Sequence, residues 1–172
     1  KTYTTGVTIL ALDALKERRH DDSIHSAAKW LEDNVNQLSK TWGYPDGDPD
    51  LSNTQYAALG LWIAEKHGYK AKAETCGLLL RAVRFHANGD GGFGYKPGNP
   101  STGSMTTAAI AILSIARERM KSDGRYRNDV AKGDELLKRA WEFMDRRFSV
   151  EGNPQGEKAL TRGWHHYYLY GL

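Results

Sequence analysis

The sequence predicts an all-α fold built from stacked helical hairpins, and three observations predict it. The tripeptide Gly-Asp/Asn-Pro recurs at Gly47-Asp48-Pro49, Gly98-Asn99-Pro100 and Gly152-Asn153-Pro154, at offsets of 51 and 54 residues. A nearly fixed period of this length marks repeated supersecondary units. The flanks keep the first offset: Trp42-Gly43-Tyr44 falls on Phe93-Gly94-Tyr95, and Ala57-Ala58-Leu59 falls on Ala108-Ala109-Ile110. Finally, two kinds of helical pattern alternate along the chain. One is amphipathic; the other is apolar nearly all round and must lie in an inner layer.

In chain order, residues 6–15 (GVTILALDAL) predict a first inner helix. Ala27, Trp30, Leu31, Val35 and Leu38 recur at three- and four-residue steps and predict an outer helix with one buried stripe. An aromatic-glycine turn and a Gly/Pro loop lead to a second inner helix over residues 57–64, with Ser52 or Asn53 expected to cap it. Cys76, Leu79, Leu80 and Val83 mark the next apolar stripe, where the lone cysteine packs as a small hydrophobe. A third inner helix covers residues 106–116 and is expected to be capped by Ser104. Residues 121–133 are polar, contain glycine and predict the longest, exposed connection. The last outer helix, with Asp134 as its expected cap, carries Leu137, Ala140, Trp141, Met144 and Phe148. Seven helices at this period make about three and a half inner/outer hairpins, joined as antiparallel neighbours by short connections.

The chain of 172 residues, 40% hydrophobic and 26% charged, suits a single domain over residues 1–172 with a substantial core. Its formal charge of +3 is spread over every segment, without a Lys/Arg block interleaved with aromatics, so no nucleic-acid partner is expected. No apolar run approaches the roughly 20 residues that span a bilayer, so no transmembrane segment is expected.

The aromatic-Gly-Tyr turns, the Gly-Gly-Phe-Gly-Tyr-Lys-Pro-Gly run at residues 91–98 and the Thr/Ala-led inner helices resemble the prenyltransferase and squalene-oxidase repeat. That repeat is shared by squalene-hopene cyclases, other class II terpenoid cyclases and protein prenyltransferase beta subunits. The resemblance covers almost the whole chain and implies an α/α toroid with inner and outer helix layers. A family ring has about six hairpins, so three and a half imply an incomplete ring, closed by the remainder of a longer chain or by a second copy.

The family's catalytic motifs are degenerate here. Class II cyclases protonate their substrate with an aspartic acid in an Asp-X-Asp-Asp-Thr-Ala motif at the start of an inner helix. The comparable stretch is Asp50-Leu51-Ser52-Asn53-Thr54-Gln55: Asp50 and Thr54 fit, but Ser52 holds the donor position and Asn53 follows it. A serine hydroxyl cannot protonate an alkene. Protein prenyltransferases hold zinc with an aspartate, a cysteine two positions later and a distant histidine. Here Ser52 replaces the cysteine, and counting back from Gly171 puts Trp164, not His165, at the histidine position. No zinc or other cofactor is therefore expected. The acidic run Asp46-Gly47-Asp48-Pro49-Asp50 opens like a calcium loop but lacks the glycine and the distal acid of an EF-hand.

With the Gly-Asp/Asn-Pro loops all expected to precede inner helices, one mouth of the ring would gather Trp42, Tyr44, Phe93 and Tyr95 with Asp46, Asp48, Asp50, Asn99, Arg162 and His165. Aromatic faces beside convergent polar groups suit a ligand pocket; stacking between hairpins is the competing use of the same four rings. Three function classes follow: a noncatalytic module that binds an isoprenoid, a glycan or a peptide at this mouth; a class II terpenoid cyclase or prenyltransferase-like enzyme whose catalytic residues lie outside these 172 residues; and a noncatalytic glycan- or protein-interaction domain.

Overall fold

A computed structural model describes residues 1–45, 47–156 and 159–172, and it is mainly helical. Among these residues seven α-helices run in the order α1 (Thr2–Ala14), α2 (Asp21–Asp33), α3 (Leu51–Lys66), α4 (Ala73–Val83), α5 (Gly103–Met120), α6 (Arg127–Arg147) and α7 (His165–Gly171). A short antiparallel ribbon, β1 (Asn153–Gln155) with β2 (Ala159–Thr161), lies between α6 and α7 and pairs Pro154 with Leu160. No described helix is long and apolar enough to cross a membrane.

The odd-numbered helices form one layer: α1 packs on α3, α3 on α5, and α5 on α7. The even-numbered helices lie outside it, α2 against α1 and α3, and α4 and α6 against α5. The close approach of α1 and α3 depends on Gly6, where an added Cβ would stand 2.5 Å from the Tyr56 carbonyl oxygen. Only α3 and α5 are covered on nearly every side, as their all-apolar patterns predict. At the edge of the layer α1 buries just Thr2, Gly6 and Ile9 and leaves Val7 and Leu15 exposed.

The outer helices differ from the expected stripes in instructive ways. The polar stretch after α5 is not a long loop, because Tyr126 packs its ring onto Gly77 of α4 and α6 begins at Arg127, seven residues before the expected cap Asp134. Asp134 instead pairs with Arg117. The buried face of α6 is Gly133, Ala140, Phe143 and Met144, while Trp141 and Phe148 are exposed. On α2, which stops at Asp33, Ile24, Ala28 and Leu31 enter the core, and Leu38 lies beyond the helix in solvent. Cys76 is buried, and that burial pushes its thiol up to about 11.

Candidate functional site

The amino ends of α3 and α5 are constructed alike, two residues ahead of the expected caps. Asp50 precedes α3 and its Oδ1 accepts from the Asn53 amide at 2.9 Å; Thr102 precedes α5 and its hydroxyl accepts from the Met105 amide at 3.2 Å. Both are the side chain-to-N3 bonds of an N-cap. Thr54 and Thr106 each donate back to the cap carbonyl at 2.7 Å and each accept a turn amide, from Trp42 and Phe93 respectively. Ser52 and Ser104, at the third position of each unit, hydrogen-bond the cap side chain at 2.7 and 3.1 Å. Asp50 is additionally bonded by the Asn53 side-chain amide at 2.8 Å. This buried carboxylate is thus engaged in holding the helix start.

Each loop also supports the inner helix of the preceding unit. Thr2 donates to the Gly43 carbonyl, the Leu51 amide to the Tyr95 carbonyl at 3.0 Å, and the Ser104 amide to Asn153 Oδ1 at 2.9 Å. Behind Tyr95, buried His86 donates from Nδ1 to the Gly94 carbonyl at 3.2 Å; burial holds its imidazole below the usual range and so neutral.

These helix starts and loops enclose a cleft of about 650 Å³. Its aromatic walls are Tyr3, Tyr44, Tyr95, Trp164 and Tyr167; Met105 and Pro100 add apolar surface. Neutral polar groups complete it: Ser52, Asn99, Thr102, Ser104, Asn153, Gln155 and Thr161. Three of the lining residues, Tyr3, Ser52 and Ser104, hold the same position, two past the residue that precedes their helix. None of the described lining residues is an Asp, Glu, Lys, Arg or His. Burial, then the nearby Asp50 carboxylate, pushes the Tyr95 phenol up to about 12, and burial also raises that of Tyr167, so both rings stay uncharged. The Tyr44 hydroxyl, the Asn99 Nδ2 and the Gln155 side-chain amide bond no other described residue.

The residues expected at the mouth divide into groups. Tyr44, Tyr95, Ser52 and Asn99 line the cleft. Trp42 and Phe93 do not: they are 1% and 0% exposed in the core, and Trp42 donates its indole N–H to the Leu31 carbonyl at 2.8 Å. Asn53 and Thr54 are buried within the cap. Asp48, 82% exposed at its side chain, pairs with Lys96 at 2.9 Å instead of converging with Asp50. Asp46 lies outside the described residues. Arg162 is exposed away from the lining, and His165 bonds the Val150 carbonyl at 3.0 Å and stacks by Tyr168. Among the described residues no group of three or more His, Cys, Asp and Glu is placed to hold a metal ion.

The third Gly-Asn-Pro copy is out of register with the first two. Pro49 and Pro100 stand two and three residues before α3 and α5, whereas Gly152-Asn153-Pro154 enters β1 and is separated from α7 by the ribbon. Asn153 consequently serves α5 and the cleft rather than introducing α7. Sequence reasoning missed Tyr3, Met105, Trp164 and Tyr167; the shared helix-start position is the signal that carries Tyr3, and the aromatic density of residues 164–170 the one that carries Trp164 and Tyr167. Trp164 has left-handed backbone angles of 59° and 22° and is 80% exposed at the cleft rim. No family model, no curated protein and no solved structure matches this chain.

Proposed function

We propose that this chain is an α/α-toroid repeat domain of the terpenoid-cyclase and prenyltransferase kind that binds an uncharged ligand in the loop-mouth cleft. The repeated turns and the alternation of inner and outer helices support the toroid. Exposed apolar side chains at both ends of the inner layer, Val7 and Leu15 on α1 and Leu169 and Tyr170 on α7, support an incomplete ring that further repeats or a second copy would cover. The observation that carries the binding reading is a cleft of ligand size whose walls are aromatic and whose described polar groups are all neutral.

Its chemistry favours binding over cyclisation. Ser52 faces the cleft where the cyclase frame needs an acid, and Asp50 behind it is engaged by Ser52 and Asn53. Between glycan and isoprenoid, the Tyr44, Asn99 and Gln155 groups, which bond no other described residue, favour the glycan, because hydrocarbon offers them no hydrogen bond. Rings and neutral amides together suit the apolar faces and hydroxyl edges of a sugar.

Calorimetric titration with a mixture of neutral gluco-oligosaccharides and, separately, with farnesol tests this. Saccharide binding that weakens by about tenfold, or 1.4 kcal/mol, in Tyr95→Ala is expected. Wild-type affinity in a Tyr95→Ala protein with unchanged circular dichroism, or no binding to either probe, would reject the cleft as the site.

A further inference from the structure

Tyr44 also lines a second depression, of about 370 Å³, together with Lys1, Trp30, Asn34, Asn36, Gly43 and Pro49 among others. Tyr44 belongs to both linings and is about half exposed. The Gly47 amide donates to the Tyr44 carbonyl at 3.1 Å.

The second depression is smaller and more polar than the first, and Lys1 stands in its lining beside one further aromatic ring and two amides. Trp30, half-buried on α2, supplies a ring. Asn34 uses Nδ2 to donate to the Trp30 carbonyl at 2.9 Å, which leaves Oδ1 as an acceptor. Asn36 uses Oδ1 to accept the Leu38 and Ser39 amides at 3.0 and 2.9 Å, which leaves Nδ2 as a donor. The second depression therefore offers an aromatic face, one amide acceptor and one amide donor beside the Lys1 side chain.

Resting on the binding reading above, we infer that the ligand is a neutral linear oligosaccharide that runs from the main cleft past Tyr44 into the Trp30 depression. A cavity of about 650 Å³ is already within the range that encloses a small molecule. A single sugar unit engages only one side, whereas a chain offers successive units with the same ring-and-hydroxyl chemistry. An isoprenoid chain of the same reach would instead bury the Asn34 and Asn36 groups unpaired.

Calorimetry of the full chain with neutral α-1,4- and β-1,4-linked gluco-oligosaccharides of increasing length tests the extension. Affinity is expected to rise by about tenfold between the disaccharide and the tetrasaccharide in one linkage series. Asn34→Ala and, independently, Trp30→Leu should remove that gain while leaving disaccharide affinity unchanged; Tyr95→Ala should weaken every length. Affinity independent of length, or a gain that survives both Asn34→Ala and Trp30→Leu, overturns the extension and leaves the main cleft standing. Binding of farnesol with no saccharide of either series overturns the oligosaccharide assignment, and silence with every probe overturns the cleft reading as well.

Discussion

The amino ends of α3 and α5 share one hydrogen-bonding scheme, around a carboxylate at Asp50 and around a hydroxyl at Thr102, whereas α7 starts at Trp164 with no side-chain cap and a left-handed backbone. The difference separates two uses of a helix start. At α3 and α5 the first turn is locked, and the residue two past the cap, Ser52 or Ser104, is presented to the cleft from a rigid base. At α7 local stability yields to placement, since a bulky side chain at positive φ is strained and Trp164 stands in solvent at the rim.

The largest effect expected from this comparison is at Asp50. Asp50→Ala removes a cap, strands the buried Asn53 side-chain amide and frees the half-buried Ser52 hydroxyl, for a loss of about 3 kcal/mol. Thr102→Ala removes a cap and its bond to the Ser104 hydroxyl, which Asn153 still engages, and should cost about 1 kcal/mol. Urea denaturation of the two variants measures the gap; equal losses would mean that the carboxylate adds nothing to the shared scheme. Next, Trp164→Gly relieves the left-handed strain and should raise stability by about 1 kcal/mol while weakening saccharide binding. A variant that is more stable and binds as well as wild type would deny the rim indole its role.

The smallest effect lies at the opposite ends of the same helices. Just past α3, His67 bonds Asp21 from Nδ1 at 2.7 Å and Asp13 from Nε2 at 3.0 Å, tying α1 and α2 to the end of α3. Toward the end of α5 the pairs are Arg117 with Asp134 and Arg119 with Glu65, with no histidine between them. The bonds to Asp13 and then Asp21 raise the His67 pKa above its usual 6.5, so its stabilisation is complete below that value and is lost as pH climbs through the raised one. The bond from His67 lowers Asp13 below its usual 3.8, so that contribution is present above 3.8 and is lost as pH falls through the lowered value. Stability from this pair should therefore plateau between those two values. Chemical denaturation across pH should show a decline above neutrality that His67→Gln abolishes; an unchanged decline in that variant would place its origin elsewhere.

The helical layers were legible because burial imposes them directly: residues 57–64 and 106–116 are apolar on all faces, and α3 and α5 are enclosed. The caps were less legible, since Asp50, Ser52 and Asn53 all carry oxygen acceptors and only the three-residue reach to the N3 amide selects Asp50. Trp42 and Phe93 look the same in sequence as Tyr44 and Tyr95, yet the intervening glycine sends one ring of each pair into the core and the other to the cleft. The third Gly-Asn-Pro misled for a related reason: its residues suit a turn, but strand pairing with residues 159–161 decides their conformation.

The relay of hydrogen bonds from each loop to the preceding helix gives the assembly a direction. Gly43 serves α1, Tyr95 serves α3 and Asn153 serves α5, so the first turns of these three helices depend on chain that is synthesised after them. Nearest-neighbour dependence of this sort makes unravelling polar: loosening the ribbon frees the start of α5 first, and α3 only once the second loop gives way. Amide hydrogen exchange in Asn153→Ala should accordingly rise at Ser104 while Leu51 keeps its protection. Simultaneous loss at both amides would indicate a single cooperative block instead.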